Sequence, residues 1–197
     1  GRPKGVVYHH RGSYLMSFGT VAAWQLEQHP TYLYTVPMFH CNGWGHAWTT
    51  ALMAATIVLT RTITAEEIFR LVETHKVTHF GGAPIVLGML VNADETLRPD
   101  LSDRTVKVMT AGAPPPASIL EKLSAMGFEV MQVYGLTETY GHVTQCVWRE
   151  EWDDLPFSEK AELQSWQGVT FPMNEDVAVI DNETGRLVPR DSQTQGV

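Results

Sequence analysis

The chain has 197 residues, a formal net charge of −8, 44% hydrophobic residues and 18% charged residues. This balance is typical of a globular protein, and the length suits one ordinary domain or a large part of a bigger one. The acidic charge argues against nucleic acid as the main partner, because a phosphate backbone needs a basic face. A bound nucleotide is not excluded, since a few local cations can hold a triphosphate.

The cysteine content and the hydropathy bear on the compartment. Two cysteines, Cys41 and Cys146, form no C-x-x-C pair and no disulfide framework, which predicts a cytoplasmic protein. The longest apolar stretch, Ala47 to Leu59, is interrupted by threonines and is shorter than the roughly 20 residues that span a bilayer. We therefore expect no transmembrane segment. The chain shows no signal peptide and no initiator Met, and we expect both of its ends to be cut.

Short β-branched runs predict strands, and longer runs with helical spacing predict helices. The acidic segment Trp148–Gln167 is interpreted as a surface excursion with one short helix after Ser158. In chain order the remaining predicted elements are helix Ser13–Gln25, strands Leu33–Val36 and Thr56–Leu59, helix Ala65–His75, strand Val77–Phe80, helix Pro84–Asn92, strand Val106–Thr110, helix Pro116–Met126, and strands Glu129–Tyr134 and Asp176–Ile180.

The helix predicted at Ala65–His75 has the clearest pattern. Its apolar positions recur at i, i+3, i+4 and i+7 from Ile68, which puts them on one face. Thr64 followed by Glu67 predicts a capping box at its start. Strands that alternate with such helices predict an α/β fold, in which helices cover a mainly parallel, layered sheet.

Two strand-to-helix junctions are near copies of each other. Phe80–Pro84 and Thr110–Pro114 each leave a strand through small residues and enter a helix at proline. In parallel sheets, ligands bind beyond the carboxyl ends of the strands. These junctions therefore mark the predicted ligand-binding edge.

The first candidate motif is Gly1–Val6, which contains Lys4. Its glycines would let backbone N–H groups face an anion, and the lysine would add a charge for a phosphate. The motif is not a Walker A loop, because G-K-[ST] is absent. Taken alone, an exposed Pro/Gly turn is the plainer interpretation of this motif.

Two further motifs follow predicted strands. Small residues at Ala111–Pro116 would allow a flat ring to lie against the backbone, although a tight turn before a helix is the plainer interpretation. In Tyr134–Thr139, the hydroxyl of Thr137 can bond a phosphate oxygen, and the carboxylate of Glu138 is a hard ligand for Mg²⁺. The alternative for this motif is a polar loop with a solvated glutamate.

The fourth motif is Pro37–Trp44, in which His40 could orient a carboxylate or line an acyl pocket. A lone histidine is more often packed than catalytic, so this motif alone is weak. The eight histidines of the chain show no zinc-ligand spacing, and no G-x-S-x-G elbow occurs. A zinc site and a hydrolase are therefore disfavoured.

The order and spacing of these four motifs resemble the acyl-adenylate-forming superfamily, which includes acyl-CoA synthetases, luciferases and peptide-synthetase adenylation domains. The resemblance covers essentially the whole chain, and the block Y-G-x-T-E is its most specific mark. It implies that residues 1–197 are part of the large N-terminal, AMP-binding domain. The T-S-G-T-T segment ahead of Gly1, the ribose-binding aspartate and the small C-terminal domain would lie outside the chain.

The resemblance also implies roles for individual residues. The lysine-bearing loop would cover the triphosphate, the A-G-A-P segment and an aromatic ring would bound the adenine, and the Y-G-x-T-E block would meet the α-phosphate and Mg²⁺. The implied catalytic residues are Lys4, His40, Thr137 and Glu138, with Glu138 as the Mg²⁺ ligand. The implied nucleotide contacts are Gly112, Ala113, Pro114, Tyr134, Gly135 and Thr137, and the implied acid pocket contains His40, Gly43 and Trp44.

Within the superfamily, Pro37–Trp44 is similar to medium-chain acyl-CoA ligases and methylmercaptopropionate–CoA ligases. The implied substrates are a short- or medium-chain acid, ATP with Mg²⁺, and coenzyme A, and Trp44 is expected to limit the pocket depth. We expect the parent protein to be an enzyme and the chain alone to be inactive. A relative with a different acceptor (a carrier-protein thiol or molecular oxygen) and a non-catalytic nucleotide-binding domain stay open as alternatives.

Overall fold

The computed structural model describes residues 2–191 and 193–197, with the exception of the side chain of Phe157. Strands and helices alternate through the first two thirds of the chain. The strands are β1 (Thr31–Tyr34), β2 (Thr56–Leu59), β3 (His79–Gly81), β4 (Val106–Thr110), β5 (Phe128–Leu136), β6 (Gly141–Gln145) and β7 (Val169–Thr170). The helices are α1 (His10–Trp24), α2 (Cys41–Trp44), α3 (His46–Leu52), α4 (Ala65–Thr74), α5 (Pro84–Val91), α6 (Ala117–Ala125) and α7 (Phe157–Gln164).

Within the described residues, the strands form one sheet in the order β2-β1-β3-β4-β5-β6-β7. Strands β1 to β5 pair in parallel, and β5–β6 and β6–β7 are antiparallel. The sheet is therefore mainly parallel, as the alternating pattern predicts. Its parallel strands end at one common edge, so the loops that follow β1, β3, β4 and β5 lie on the same side of the molecule.

Two cores lie on opposite faces of the sheet. One packs the apolar faces of α4, α5 and α6 against alternate residues of the strands, with Ile68, Phe80 and Val108 fully buried. The other lies under α1 and is more aromatic and polar, and it includes Trp24 and Tyr32. Helices on both faces explain why the central parallel strands are hydrophobic almost throughout.

The start of α4 bears out half of the predicted capping box. The hydroxyl of Thr64 accepts a hydrogen bond from the backbone N–H of Glu67, which satisfies one of the free donors at the helix start. The carboxylate of Glu67, however, accepts two bonds from Arg70, both of 2.8 Å. An ion pair at i, i+3 thus takes the place of the predicted return bond to the cap.

Most elements of the sheet lie where the sequence predicts them. Strands Thr56–Leu59 and Val106–Thr110 match without a shift, and the predicted helices are found within a few residues of their expected ends. The acidic segment Trp148–Gln167 also contains the predicted short helix, α7. No helix in the described part of the chain is both long and apolar enough to cross a membrane.

The strand predicted at Asp176–Ile180 is wrong. The stretch forms an isolated bridge between Ile180 and Leu187 and a few backbone hydrogen bonds around it, but no continuous ladder, and the apolar side chains of Val177 and Val179 are exposed. The alternating sequence fits a strand, but in the described residues this stretch has no neighbouring strand along its length. Conversely, β6, β7, α2 and α3 lie in stretches for which no element was predicted.

Candidate active site

The turn between β5 and β6 lies at the carboxyl edge of the sheet. The antiparallel pairing of β5 with β6 shifts register between Tyr134 and Gly135. The backbone of β6 comes so close that a Cβ at Gly135 would overlap the carbonyl oxygen of Gly141. Glycine is therefore required at position 135, and the close approach fixes where the turn leaves the sheet.

Thr137–Thr139 form a single 3₁₀ turn at the tip of this hairpin. The hydroxyl of Thr139 accepts from the N–H of Leu136 and lies within hydrogen-bond distance of the carbonyl of Gly141, at 3.0 and 2.9 Å. These bonds hold the turn closed, while the side chains of Thr137 and Glu138 are exposed. A hydroxyl and a carboxylate are thus presented side by side on a fixed backbone.

The segment after β1 approaches this turn through an unusual backbone. Residues 41 to 45 all have positive φ, with Cys41 at 44°, Asn42 at 50° and Trp44 at 59°. Such a left-handed run is costly for residues with a Cβ, and it persists only where surrounding contacts hold it. One of those contacts places Sγ of Cys41 3.7 Å from the hydroxyl oxygen of Thr137.

The three proposed acid-pocket residues lie in or beside this left-handed segment. His40 is exposed, and its ring lies 4.4 Å from that of Phe39. Gly43 is buried at φ +64°, where a Cβ would press on Sδ of Met38 at 3.1 Å. Trp44 turns inward over β3, so that a Cβ at Gly81 would lie 3.2 Å from its ring.

The N-terminal segment reaches the same turn through Tyr8. Lys4 is exposed, and no regular structure is assigned to residues 2–9. Four residues later, the hydroxyl of Tyr8 donates a 2.8 Å hydrogen bond to the carbonyl of Thr137. The Tyr8 ring lies 4.2 Å from that of Tyr140, centroid to centroid. The segment that carries Lys4 is therefore tied to the Thr137–Thr139 turn.

The Ala111–Pro114 segment follows β4 at the same edge. In the parallel register Thr110 is opposite Gln132, so Gly112 and Tyr134 each lie two residues beyond that pair. Gly112 has φ +93°, a Cβ at this position would meet nothing within 4 Å, and the ring of Tyr134 is 42% exposed. A small-residue turn and an exposed aromatic ring thus flank one stretch of the edge; Ala113 and Pro114 continue the turn outward and are exposed.

A cavity of about 770 Å³ adjoins the site between the start of α1 and the α2–α3 region. Tyr8 and Tyr140 form one part of its wall, and Asn42 and Trp48 form another. Aromatic and polar side chains share the lining, in which Leu52 is aliphatic and Arg11 is cationic.

Buried histidines lie directly behind the candidate site, and no sequence pattern predicted their burial. His46 and His142 are almost inaccessible, with ring centroids 6.0 Å apart, and His79 lies edge-on to Trp24. Burial lowers the pKa of His79 and of His142 to about 4. Burial, together with these two neighbours, also lowers the pKa of His46 well below its usual value. These rings are therefore neutral near pH 7.

The structure brings two of the predicted motifs into contact. Cys41, next to His40, touches Thr137 of the Y-G-x-T-E block, and the Lys4 segment joins them through Tyr8. The A-G-A-P turn lies on the same edge. Tyr8 was missed from the sequence because an isolated tyrosine after a glycine-rich loop carries no signal of its own.

Known CoA ligases are similar to this chain over nearly its whole length. It is 46% identical to the peroxisomal acetate/butyrate–CoA ligase AAE7 of Arabidopsis thaliana and 44% identical to the 2-methylpropanoate–CoA ligase CCL4 of Humulus lupulus. Each match covers 98% of this chain and 34% of the relative. The chain therefore spans about a third of the length of the curated relatives it matches.

Solved structures and the family's sequence pattern agree with this likeness. The N-terminal domain of FACL13 from Mycobacterium tuberculosis superposes with a TM-score of 0.79 at 25% identity, over 94% of this chain and 44% of that one. The O-succinylbenzoate coenzyme A synthetase of Bacillus subtilis, solved with ATP and magnesium ion, shares the fold with a TM-score of 0.74 at 20% identity, over 96% of this chain and 36% of that one. The pattern described as AMP-binding enzyme matches residues 1–196. The chain belongs to the AMP-binding enzyme family.

Proposed function

We propose that the protein to which this chain belongs is an ATP-dependent carboxylic acid–CoA ligase that acts through an acyl-adenylate. The observation that carries the proposal is the convergence at the Thr137–Thr139 turn. An exposed hydroxyl and carboxylate stand there on a braced hairpin, contacted by the strained Cys41 segment and by the segment that carries Lys4. The likeness to acetate/butyrate and 2-methylpropanoate–CoA ligases supports the same activity.

The proposed chemistry joins two anions, which explains the residue types at the site. A substrate carboxylate attacks the α-phosphorus of ATP and pyrophosphate leaves. The thiol of coenzyme A then attacks the acyl carbonyl and releases AMP. Repulsion between the carboxylate and the triphosphate must be offset by fixed positive charge and hydrogen-bond donors. In this proposal Lys4 supplies the positive charge and Thr137 a hydroxyl donor for the α-phosphate.

The carboxylate of Glu138 fits a magnesium ion. Mg²⁺ takes hard oxygen ligands and commonly binds through one or two carboxylates together with phosphate oxygens. Glu138 is exposed beside the hydroxyl of Thr137 and has no cation paired with it in the described residues. The ion would neutralise charge on the phosphates, and the role of this chain is to hold the carboxylate at a fixed position.

The adenine is proposed to lie on the edge between β4 and β5. The exposed ring of Tyr134 offers a stacking surface, and the turn at Gly112, Ala113 and Pro114 has open space at Gly112 for a flat group. Gly135 follows Tyr134 directly and keeps the backbone close to β6. This arrangement suits a purine that is bound by stacking and by shape complementarity.

The proposed acid is short or medium in chain length. His40 and Gly43 belong to the segment beside the Thr137–Thr139 turn, where the acid's carboxylate must lie to reach the nucleotide. Trp44 turns inward over Gly81 and would shorten the space available to a tail. The names of the relatives, acetate/butyrate and 2-methylpropanoate ligase, agree with small acids. The resemblance of the Pro37–Trp44 motif also implies 3-methylthiopropionate (methylmercaptopropionate) as a substrate, and this acid is included in the test below.

This chain is proposed to be part of the N-terminal domain, with the C-terminal domain outside residues 1–197. The isolated chain is accordingly proposed to be inactive, because positioning by a second domain supplies much of the rate. The cytoplasm is the proposed compartment, on the basis of the two free cysteines. A fluorescent fusion of the full-length protein tests this, and import into peroxisomes would overturn it.

The decisive experiment is acid-dependent pyrophosphate–ATP exchange by the full-length protein. We would test acids from acetate to decanoate, together with 3-methylthiopropionate. Exchange with acetate or butyrate, followed by AMP release that requires coenzyme A, is the expected result. Exchange without a coenzyme A requirement would indicate a different acceptor. Binding of Mg-ATP without exchange for any acid would indicate a non-catalytic nucleotide-binding domain.

A further inference from the structure

Tyr8 holds the peptide group that links Thr137 to Glu138. Its hydroxyl donates to the carbonyl of Thr137 at 2.8 Å across 129 positions of sequence. The same carbonyl accepts the backbone N–H of Tyr140 at 3.2 Å. Because the peptide unit is planar, fixing this oxygen also fixes the direction in which the chain enters Glu138.

The ring of Tyr8 is itself fixed. It packs on Tyr140 at 4.2 Å with an interplanar angle of 54°, and Tyr140 is buried with φ +58° where it closes the 3₁₀ turn. A tyrosine that rests on a buried ring loses little freedom when its hydroxyl forms a bond. Tyr8 therefore constrains the turn from outside, while Thr139 constrains it from within.

The hydroxyl of Tyr8 stays a donor at every pH at which an enzyme of this kind would work. Partial burial raises the pKa of Tyr8 to about 12, and the neighbouring Cys41, Tyr140 and Glu138 groups raise it in the same direction. A phenolate would lose the donor and would repel the carboxylate of Glu138.

We propose that Tyr8 is a positioning residue for adenylation, which holds the Thr137–Glu138 peptide so that the Thr137 hydroxyl and the Glu138 carboxylate face the nucleotide and its metal ion together. This inference rests on the proposed function. It differs from simple packing, since packing needs the ring of Tyr8 and positioning needs the hydroxyl.

The test compares Tyr8→Phe with Tyr140→Phe in the full-length protein. Tyr8→Phe keeps the stacked ring and removes the bond to Thr137. Tyr140→Phe is the matched control, because its buried hydroxyl has no partner among the described residues. Pyrophosphate–ATP exchange with butyrate is measured against Mg²⁺ concentration. We expect Tyr8→Phe to raise the half-saturating Mg²⁺ concentration about 2- to 10-fold, as the loss of one hydrogen bond implies, and Tyr140→Phe to leave it unchanged.

A second measurement is independent of activity. Hydrogen exchange of peptides that contain residues 137–141 reports the Tyr140 amide, which shares the Thr137 carbonyl with Tyr8. Faster exchange in Tyr8→Phe alone supports the proposed constraint. Equal Mg²⁺ dependence in Tyr8→Phe and wild type, or equal shifts in both variants, would overturn the positioning role. If the wild-type protein catalyses no exchange with any acid, the proposed function itself fails, and hydrogen exchange then reports only whether the bond exists.

Discussion

The hydroxyl of Tyr32 lies 2.5 Å from Nδ1 of His46, and the two side chains are buried together beneath α1. The indole of Trp24 stacks on the same imidazole at 5.2 Å. His79 and His142 lie beside them, so three buried, neutral imidazole rings lie behind the candidate active site.

Acid is expected to destabilise the fold through these histidines. Their pKa values are lowered in the folded state, to about 4 for His79 and His142. The unfolded chain therefore binds more protons between about pH 6.5 and 4, and stability falls as the pH decreases through that window. Each histidine contributes a slope of about 1.4 kcal/mol per pH unit. The free energy of unfolding of the full-length protein is measured with denaturant at a series of pH values. Its dependence on pH should be shallower in His142→Gln and unchanged in the exposed His75→Gln.

Glu138→Gln should abolish most of the exchange activity without unfolding the protein. The amide keeps the size of the side chain but is a poor magnesium ligand, and losing several kcal/mol of transition-state stabilisation lowers the rate about 100-fold or more. Pyrophosphate–ATP exchange and the thermal midpoint are measured together. Glu121→Gln, at an exposed carboxylate on α6, is the control. Undiminished exchange in Glu138→Gln would remove this residue from the proposed site.

Gly135→Ala should displace the hairpin that carries the site. The added methyl group would overlap the carbonyl of Gly141, and the backbone on both sides belongs to a paired sheet that cannot yield easily. We expect a loss of stability of about 2 kcal/mol or more together with a loss of ATP binding. Wild-type stability in this variant would contradict the close approach.

Gly88→Ala should instead stabilise the protein. Gly88 lies inside α5, its φ is not positive, and a Cβ there would meet nothing within 4 Å. Alanine in a helix interior is favoured over glycine by about 0.5–1 kcal/mol. A higher urea midpoint with unchanged exchange activity is the expected result, and a lower midpoint would show that the space is filled in the full-length protein.

Trp44→Ala should shift acid selection toward longer chains. The indole packs against Gly81, and its removal would open space beside β3. One extra or missing methylene group in an apolar pocket changes specificity about tenfold or more. The ratio of pyrophosphate–ATP exchange with decanoate to that with butyrate should therefore rise by at least this factor. An unchanged ratio would mean that Trp44 does not bound the acid pocket.

The predictable part of the fold lies where local pattern and tertiary context agree. Thr56–Leu59 and Val106–Thr110 are short runs rich in β-branched residues, and their composition identifies them whether the strand is exposed at the edge, as β2 is, or buried on both faces, as β4 is. Helix α4 has a cap and a single apolar face. In contrast, β6 reads Gly-His-Val-Thr-Gln, and polar residues such as His142 and Thr144 are buried there only because β5 and the core under α1 surround them.

The place of the candidate site in the fold was predictable from the sequence, but its contacts were not. The edge of the sheet follows from the strand pattern, and Thr137 and Glu138 lie on it. The left-handed backbone at Cys41–Trp44 was not predicted, because Asn42-Gly43 signals only a local turn and the Cβ of Cys41 and of Trp44 disfavours positive φ. The bond from Tyr8 joins segments 129 positions apart, and no local pattern encodes such a distance.

The antiparallel pairing of β5 with β6 has a consequence for how this site can diverge among relatives. The Thr137–Thr139 turn is a hairpin tip, not a crossover loop, so both of its ends are fixed by ladder hydrogen bonds. Inserting one residue there would either create a new bulge or slide β6 by one position, turning His142 and its neighbours to the opposite face. We expect relatives and engineered variants to keep the length of this tip, together with the Thr137 hydroxyl and the Glu138 carboxylate that the proposed activity needs.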